Sequence, residues 1–226
     1  MKTPNVEWTA PRLHPYVTAV AAGLLIAAAV PPWGWWPAAF AGLALLDRLV
    51  ADRPTASRFR RGLVVGLAWA LPSTLWVVDL SPPGWILAGG LHALWLGLAA
   101  ALVPAGRWRR LGLVGSVTLA ELVRWSVPFG GVPLASIALG QAGGPLAPVV
   151  RVAGPLLLVA LTVAVGMGLS ALLDGRRADR SSVATIGIVG ATIAIAGLLA
   201  ATAPTGRVVG ELDVALVQGG GPQRTR

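Results

Sequence analysis

Apolar residues along this chain gather into seven blocks separated by short polar or Pro/Gly-rich breaks: Tyr16–Val30, Trp35–Leu46, Gly62–Val78, Gly84–Val103, Leu111–Val127, Val149–Leu173 and Ser182–Ala203. A perpendicular membrane crossing takes about 20 apolar residues, with about 17 as the lower limit. The third to seventh blocks meet that limit. The first two are short and are joined by "VPPWGWWP", so the pair either crosses twice or forms a hairpin that dips into the bilayer. The parity of crossings is the same in both cases. The pattern predicts an all-α polytopic membrane protein of about seven transmembrane helices. A short cytoplasmic segment occupies residues 1–15, and the multi-helix membrane domain occupies 16–203.

Two stretches depart from the helical pattern. "WSVPFGGVPLASIALGQAGGPLAP", Trp125 to Pro148, is rich in Gly and Pro yet apolar through its middle. Irregular backbone at membrane depth persists only where protein or a water-filled cavity satisfies its polar groups. This loop is therefore expected to fold back on the bundle. Alternation of apolar and polar residues appears in "ELDVALVQ", where Leu212, Val214, Leu216 and Val217 suggest a buried strand followed by a "GGGP" turn. A lone strand needs neighbours, so residues 204–226 read as the first element of an extracytoplasmic α/β domain that is otherwise missing.

Charge fixes the orientation. The chain carries 18 Lys and Arg, of which 13 lie in the N-terminal segment and in alternate connections (Lys2, Arg12; Arg48 to Arg61; Arg107 to Arg110; Arg176 to Arg180), leaving 5 on the opposite side. Basic residues concentrate in cytoplasmic loops, which places the N-terminus inside and the C-terminal tail outside. Six of the ten tryptophans, Trp33, Trp35, Trp36, Trp76, Trp85 and Trp125, fall near the outer boundary. Only 12% of residues are charged and mean hydropathy is +0.73, against about 25% charged residues in soluble domains. The net charge of +9 does not indicate nucleic-acid binding, because the arginines lie in separated loops rather than on one face or arm.

Candidate chemistry is sparse. No cysteine is present, which removes disulfides, thiolate metal sites and a cysteine nucleophile from this chain. His14 and His92 have no ligand spacing around them, so no metal or cofactor is expected. Glu121 and Arg124 stand three apart on one face of the fifth helix, Glu121 about 15 Å along the axis from Leu111. Ionisable groups at such depth face a bundle interior or cavity and take partners. The pair reads as an internal ion pair that fixes packing, as an anchor beneath the outer loop, or as a contact to a lipid headgroup. His92 reads as an interhelical hydrogen bond, Asp79 as a loop cap, and Gln141 as a donor to loop carbonyls or to substrate. Small residues in "GLVVGLAWA" and "VAVGMGLSA" have the spacing that lets helices approach closely.

The order of these pieces carries a resemblance. "PPWGWWPAAFAGLALL", "RFRRGLVVGLAWALPSTLWV", "LAELVRWSVPFGGVPLASIALGQAGGPLAPVVRVAGP" and "VALVQGGGPQ" together resemble the membrane half of bacterial apolipoprotein N-acyltransferase. In that family a multi-helix membrane domain leads into an extracytoplasmic nitrilase-like domain. The third piece is similar to the family's Glu/Arg helix, its Gly-x-Pro turn (here Gly131 and Pro133) and its Gln before Pro-Leu (here Gln141). Leu134 stands where the family usually has an aromatic residue, and Leu139 and Gly140 where a Tyr-Ser pair is common.

The resemblance implies transfer of an acyl chain from a membrane phospholipid to the α-amino group of a lipoprotein's S-diacylglyceryl cysteine, through a thioester intermediate. Its partners would be a phospholipid, a diacylated lipoprotein and a separate or downstream nitrilase-like domain. The family's catalytic Glu, Lys and Cys belong to that domain. Lys2 is the sole lysine here and no thiol exists, so no catalytic residue carries over. A self-standing membrane scaffold, such as one recruiting a polyprenol-phosphate glycosyltransferase, or a small carrier is the other reading.

Overall fold

The computed structural model describes residues 14–127, 130, 133–174, 180–203, 205–206, 209–211 and 213–215. Among them the regular structure is helical throughout: α1 Pro15–Ala29, α2 Trp36–Val50, α3 Thr55–Ser73, α4 Pro82–Leu102, α5 Arg109–Ser126, the single-turn α6 Ile137–Gly140, α7 Val150–Asp174 and α8 Arg180–Thr202. Apart from α6, each helix matches one apolar block. Three-residue or five-residue 3-10 turns precede α4, α5 and α7.

Local signals set the boundaries. Pro15 and Pro37 sit in the first turns of α1 and α2, where a missing N–H costs nothing, and Pro31–Pro32 follow the end of α1. α4 is capped by Ser81, whose Oγ accepts from the Gly84 N–H at 3.1 Å. Asp79, read from sequence as a loop cap, ends the 3-10 turn Leu75–Asp79. α7 is interrupted at Ala153 and Gly154, the latter at φ +71°, and its regular part starts at Pro155. A left-handed glycine followed by proline is a combination that few other residue pairs adopt.

Six helices close into a ring in the order α3, α4, α5, α7, α2, α1 and back to α3, each touching the next, while α8 leans on α7 from outside. Small residues bring the axes together. A Cβ on Gly66 of α3 would lie 2.5 Å from the Ala93 Cα of α4, and one on Gly166 of α7 would lie 2.6 Å from the Leu43 Cβ of α2. Lipid tails are as apolar as leucine, so close packing rather than water exclusion holds such helices together. Accordingly the core is rich in alanine, including Ala19, Ala22, Ala70, Ala93 and Ala100, while Leu87, Leu102 and Leu198 point outward, all at least 66% exposed.

Three stretches are long and apolar enough to cross a membrane by length and composition: Pro82–Leu102, Ala147–Asp174 and Val183–Thr202. α1 is apolar but has 15 residues. α2, α3 and α5 carry charges within the helix itself: Asp47 and Arg48; Arg58, Arg60 and Arg61; and Arg109, Arg110, Glu121 and Arg124. Beyond Ala203 no described residue lies in a strand, and Val209 and Val214 are 98% and 66% exposed. A ladder needs a second strand to pair with, and none is present among the described residues. Leu212, Leu216 and Val217 lie outside those residues.

Candidate functional site

The loop-bearing end of the bundle is organised by one buried polar cluster. Glu121 and Arg124 project from α5 into the ring interior at 2% and 6% exposure, and Arg124 Nη2 donates to Glu121 Oε1. Glu121 Oε2 accepts from Ser136 Oγ at 2.9 Å. Arg124 Nη1 bonds the Leu134 carbonyl and lies against His92 Nε2, and its guanidinium sits 5.5 Å from the centre of the Trp69 ring. His92 of α4 has its ring nitrogens 2.9 Å from two carbonyls, Nδ1 from Ala88 of its own helix and Nε2 from Leu134; as a neutral imidazole it donates Nδ1–H to Ala88 and leaves Nε2 to accept from Arg124. The histidine therefore bridges α4, α5 and the loop.

The polar atoms of Leu134 and Ser136 are thus held on either side of Ala135, which adopts φ +48°. Alanine rarely enters that region unless its surroundings impose it. The segment continues inward. The Ser136 Oγ accepts the Ala138 N–H and starts α6. A Cβ on Gly140 would lie 3.2 Å from the Ala29 carbonyl oxygen of α1. Gln141 is fully buried and its Nε2 donates to the Trp36 carbonyl at the start of α2 at 2.9 Å. The loop folds back on the bundle and touches α1, α2, α4 and α5.

Volume separates two roles. The space enclosed among Trp69, His92, Trp95, Glu121 and Arg124 is about 10 Å³, room for one water at most, since a water needs about 10–15 Å³. The ion pair is closely packed, with no substrate-sized space beside it. Larger spaces flank the loop it holds. One of about 520 Å³ lies between the end of α5, the loop and the broken start of α7, lined by Trp125, Pro133, Ser136, Ala138, Leu139 and Leu158 among others. A second, of about 430 Å³, lies on the hairpin side with Pro31, Pro32, Ser73, Trp76 and Ala135 in its wall. Pro133 and Leu139 line both. The walls are mainly apolar, and the Trp125 indole N–H has no acceptor among the described residues.

A second polar cluster occupies the opposite, Arg-rich end. Asp47 is fully buried one residue beyond the apolar stretch ending at Leu46. Its Oδ1 accepts from Arg109 Nε at 2.6 Å, and its Oδ2 from Arg110 Nε at 3.1 Å and Ser170 Oγ at 2.8 Å. Arg110 continues to Asp174 at 2.5 Å, and Asp174 to Arg48 at 3.2 Å. Burial by itself would push the Asp47 carboxyl up, but hydrogen bonds and charge from Arg109, Ser170 and Arg110 outweigh it and hold the group below the usual carboxylate range. The cluster clamps α2, α5 and α7 together.

Of the residues singled out from sequence, Glu121, Arg124, His92 and the loop backbone converge. Pro133 stands between the two cavities, Gln141 is at the base of the loop away from the ion pair, and Gly131 lies outside the described residues. Sequence inspection missed Ser136, because a serine in an apolar run gives no sign of its partner. Leu134 drew notice only for its side chain, whereas the bundle uses its carbonyl, which any residue supplies. Asp47 was overlooked although a carboxylate at the end of an apolar run is itself a signal. Among the described residues no group of three or more His, Cys, Asp or Glu is placed to hold a metal.

A ring of apolar helices with a folded-back loop, braced by a buried ion pair and flanked by apolar cavities, defines a membrane-embedded helical domain. Residues 22–168 match the family model described as the apolipoprotein N-acyltransferase N-terminal domain, and the chain belongs to that family. Over 92% of its length it is 33% identical to the apolipoprotein N-acyltransferase of Caulobacter vibrioides, and over 71% it is 30% identical to that of Mycolicibacterium smegmatis. It spans 44% and 28% of the lengths of those two relatives.

Proposed function

We propose that this chain is the membrane platform of a phospholipid-dependent lipoprotein N-acylation system. About seven helices cross the bacterial plasma membrane with the N-terminus inside. The tail leads outside towards a nitrilase-like catalytic domain of the kind the family carries. The loop 133–147 and its flanking cavities hold acyl chains of the phospholipid donor or of the diacylated lipoprotein at the outer leaflet. Holding two lipid substrates in register with a catalytic group converts an encounter into a near-unimolecular step, and positioning is the contribution open to a chain with no thiol.

The observation that carries this reading is the pairing of family membership with two apolar cavities on either side of a single anchored loop. Glu121 and Arg124 act in it as positioning residues: they hold Ser136 and Leu134, and the packed space around them leaves no room for substrate.

The test is binding of a fluorescent S-diacylglyceryl-cysteine peptide to the whole chain in lipid nanodiscs. The diacylated peptide should bind and the same peptide without its acyl chains should not. Leu139→Trp, at a half-exposed position lining both cavities, should weaken binding about tenfold, the equivalent of about 1.4 kcal/mol. Equal binding of both peptides would defeat the proposal, as would acyl transfer by the chain unaided. Orientation has its own test: alkaline phosphatase fused after Arg226 should be active and fused after Arg177 inactive.

A further inference from the structure

A third cavity, of about 490 Å³, lies at the other end of the molecule, in the cleft between α5, α7 and α8. Its existence follows from the packing. α8 rests chiefly on α7, so it stands away from α5, and the α7 floor between them is lowered by Ala160 and Ala164. The remaining wall is apolar, with Val114 from α5 and Ile188 and Val189 from α8. Such a trough suits an extended hydrocarbon chain.

Its mouth is of a different character. Arg107 and Trp108 stand there exposed, with the guanidinium 5.0 Å from the centre of the indole ring, and Arg110 lies just inside. Asp47 and Asp174 engage Arg48, Arg109 and Arg110, while Arg107 has no carboxylate partner among the described residues. Among the described residues of this end, eight arginines (Arg48, Arg53, Arg58, Arg60, Arg61, Arg107, Arg109 and Arg110) face three carboxylates (Asp47, Asp52 and Asp174), a clear positive surplus. An apolar trough that opens under an arginine paired with an interfacial tryptophan is complementary to one kind of molecule, a lipid with an anionic headgroup.

We propose that the α5–α7–α8 cleft binds an anionic phospholipid, with one acyl chain along the trough and the headgroup phosphate on Arg107. This site is separate from the cavities at the loop-bearing end and takes its lipid from the opposite leaflet. The bound lipid fills the gap between α8 and α5 and so adds to the α7 contact that holds α8 against the ring.

The experiment is native mass spectrometry of the delipidated full chain in detergent, titrated with phosphatidylglycerol or, in parallel, phosphatidylcholine. One phosphatidylglycerol should be retained in preference to phosphatidylcholine by about fivefold, the effect of one arginine at a headgroup layer. Arg107→Ala, at an exposed position, should reduce that preference to near unity. Ile188→Trp, on the α8 wall of the cleft, should occlude the trough and lower retention of both lipids, with helicity by circular dichroism as the folding control. Equal retention of the two lipids by the unmodified chain, or an unchanged preference in Arg107→Ala, would overturn the proposal. Because neither lipid reports on diacylated peptide, failure here leaves the outer-leaflet reading untouched.

Discussion

Both ends of the bundle bury a carboxylate against arginine, yet the two clusters do different work. At the Arg-rich end Asp47 joins helix to helix: its partners come from α5 and α7, and the outer members, Arg48 and Asp174, reach solvent with side chains about two-fifths exposed. At the loop-bearing end Glu121 joins helix to loop, its partners are all buried, and the enclosed volume is about 10 Å³. A charge near water is rehydrated when its partner is lost, whereas one sealed in the interior is not. The difference teaches that a buried ion pair is read by what lies at its far end: helices in one case, the wall of a cavity in the other.

Breaking the pairs tests this contrast. The largest loss is expected for Glu121→Ala, which strands the Arg124 guanidinium in the interior; breaking such a pair typically costs about 3–5 kcal/mol. Scanning fluorimetry in detergent would register it, and diacylated-peptide binding should fall along with stability. Asp47→Asn should cost less, about 2 kcal/mol, because Arg109 keeps partial access to solvent and Arg110 keeps Asp174 as a partner, and peptide binding measured below the new melting temperature should be unchanged. Equal effects of both variants on binding would erase the distinction.

Smaller changes sharpen it. Ser136→Ala removes one hydrogen bond to a charged group, worth about 1.5–3 kcal/mol when buried, and should loosen the loop more than the bundle. Limited proteolysis between Pro133 and Pro148 is the readout. Arg48→Ala breaks a half-exposed pair and should shift stability by less than about 1 kcal/mol.

Acid offers a last comparison. The Asp47 carboxyl is held low in the folded state, so its contribution is present above the unfolded carboxylate value of about 3.9 and is lost as pH falls through the folded value. Melting temperature should drop as the protein is acidified through and below pH about 4, and part of that drop should vanish in Asp47→Asn.

The helices were legible because their cause is local. Seven apolar blocks became seven long helices, with ends set by Pro15, Ser81 and the Gly154–Pro155 step. Glu121 and Arg124 were legible for the same reason, since a spacing of three on one helix guarantees that they face together. The inward fold of the loop also followed from its composition, because an apolar irregular segment has to satisfy its backbone somewhere.

Other features depend on which helices become neighbours. Asp47 meets Ser170 across 123 positions and Arg110 across 63, and no local spacing encodes either meeting. Gln141 reaches Trp36 across 105 positions and through a backbone carbonyl, which every residue type offers equally. The cavities are further removed from sequence, being the space left where a broken helix, a folded loop and an outlying α8 fail to fill the ring. Periodicity and charge along the chain determine what each segment is, since those forces act within a few residues. Packing alone determines which segments touch and what remains empty between them, since close fit is a property of pairs of surfaces and not of either one.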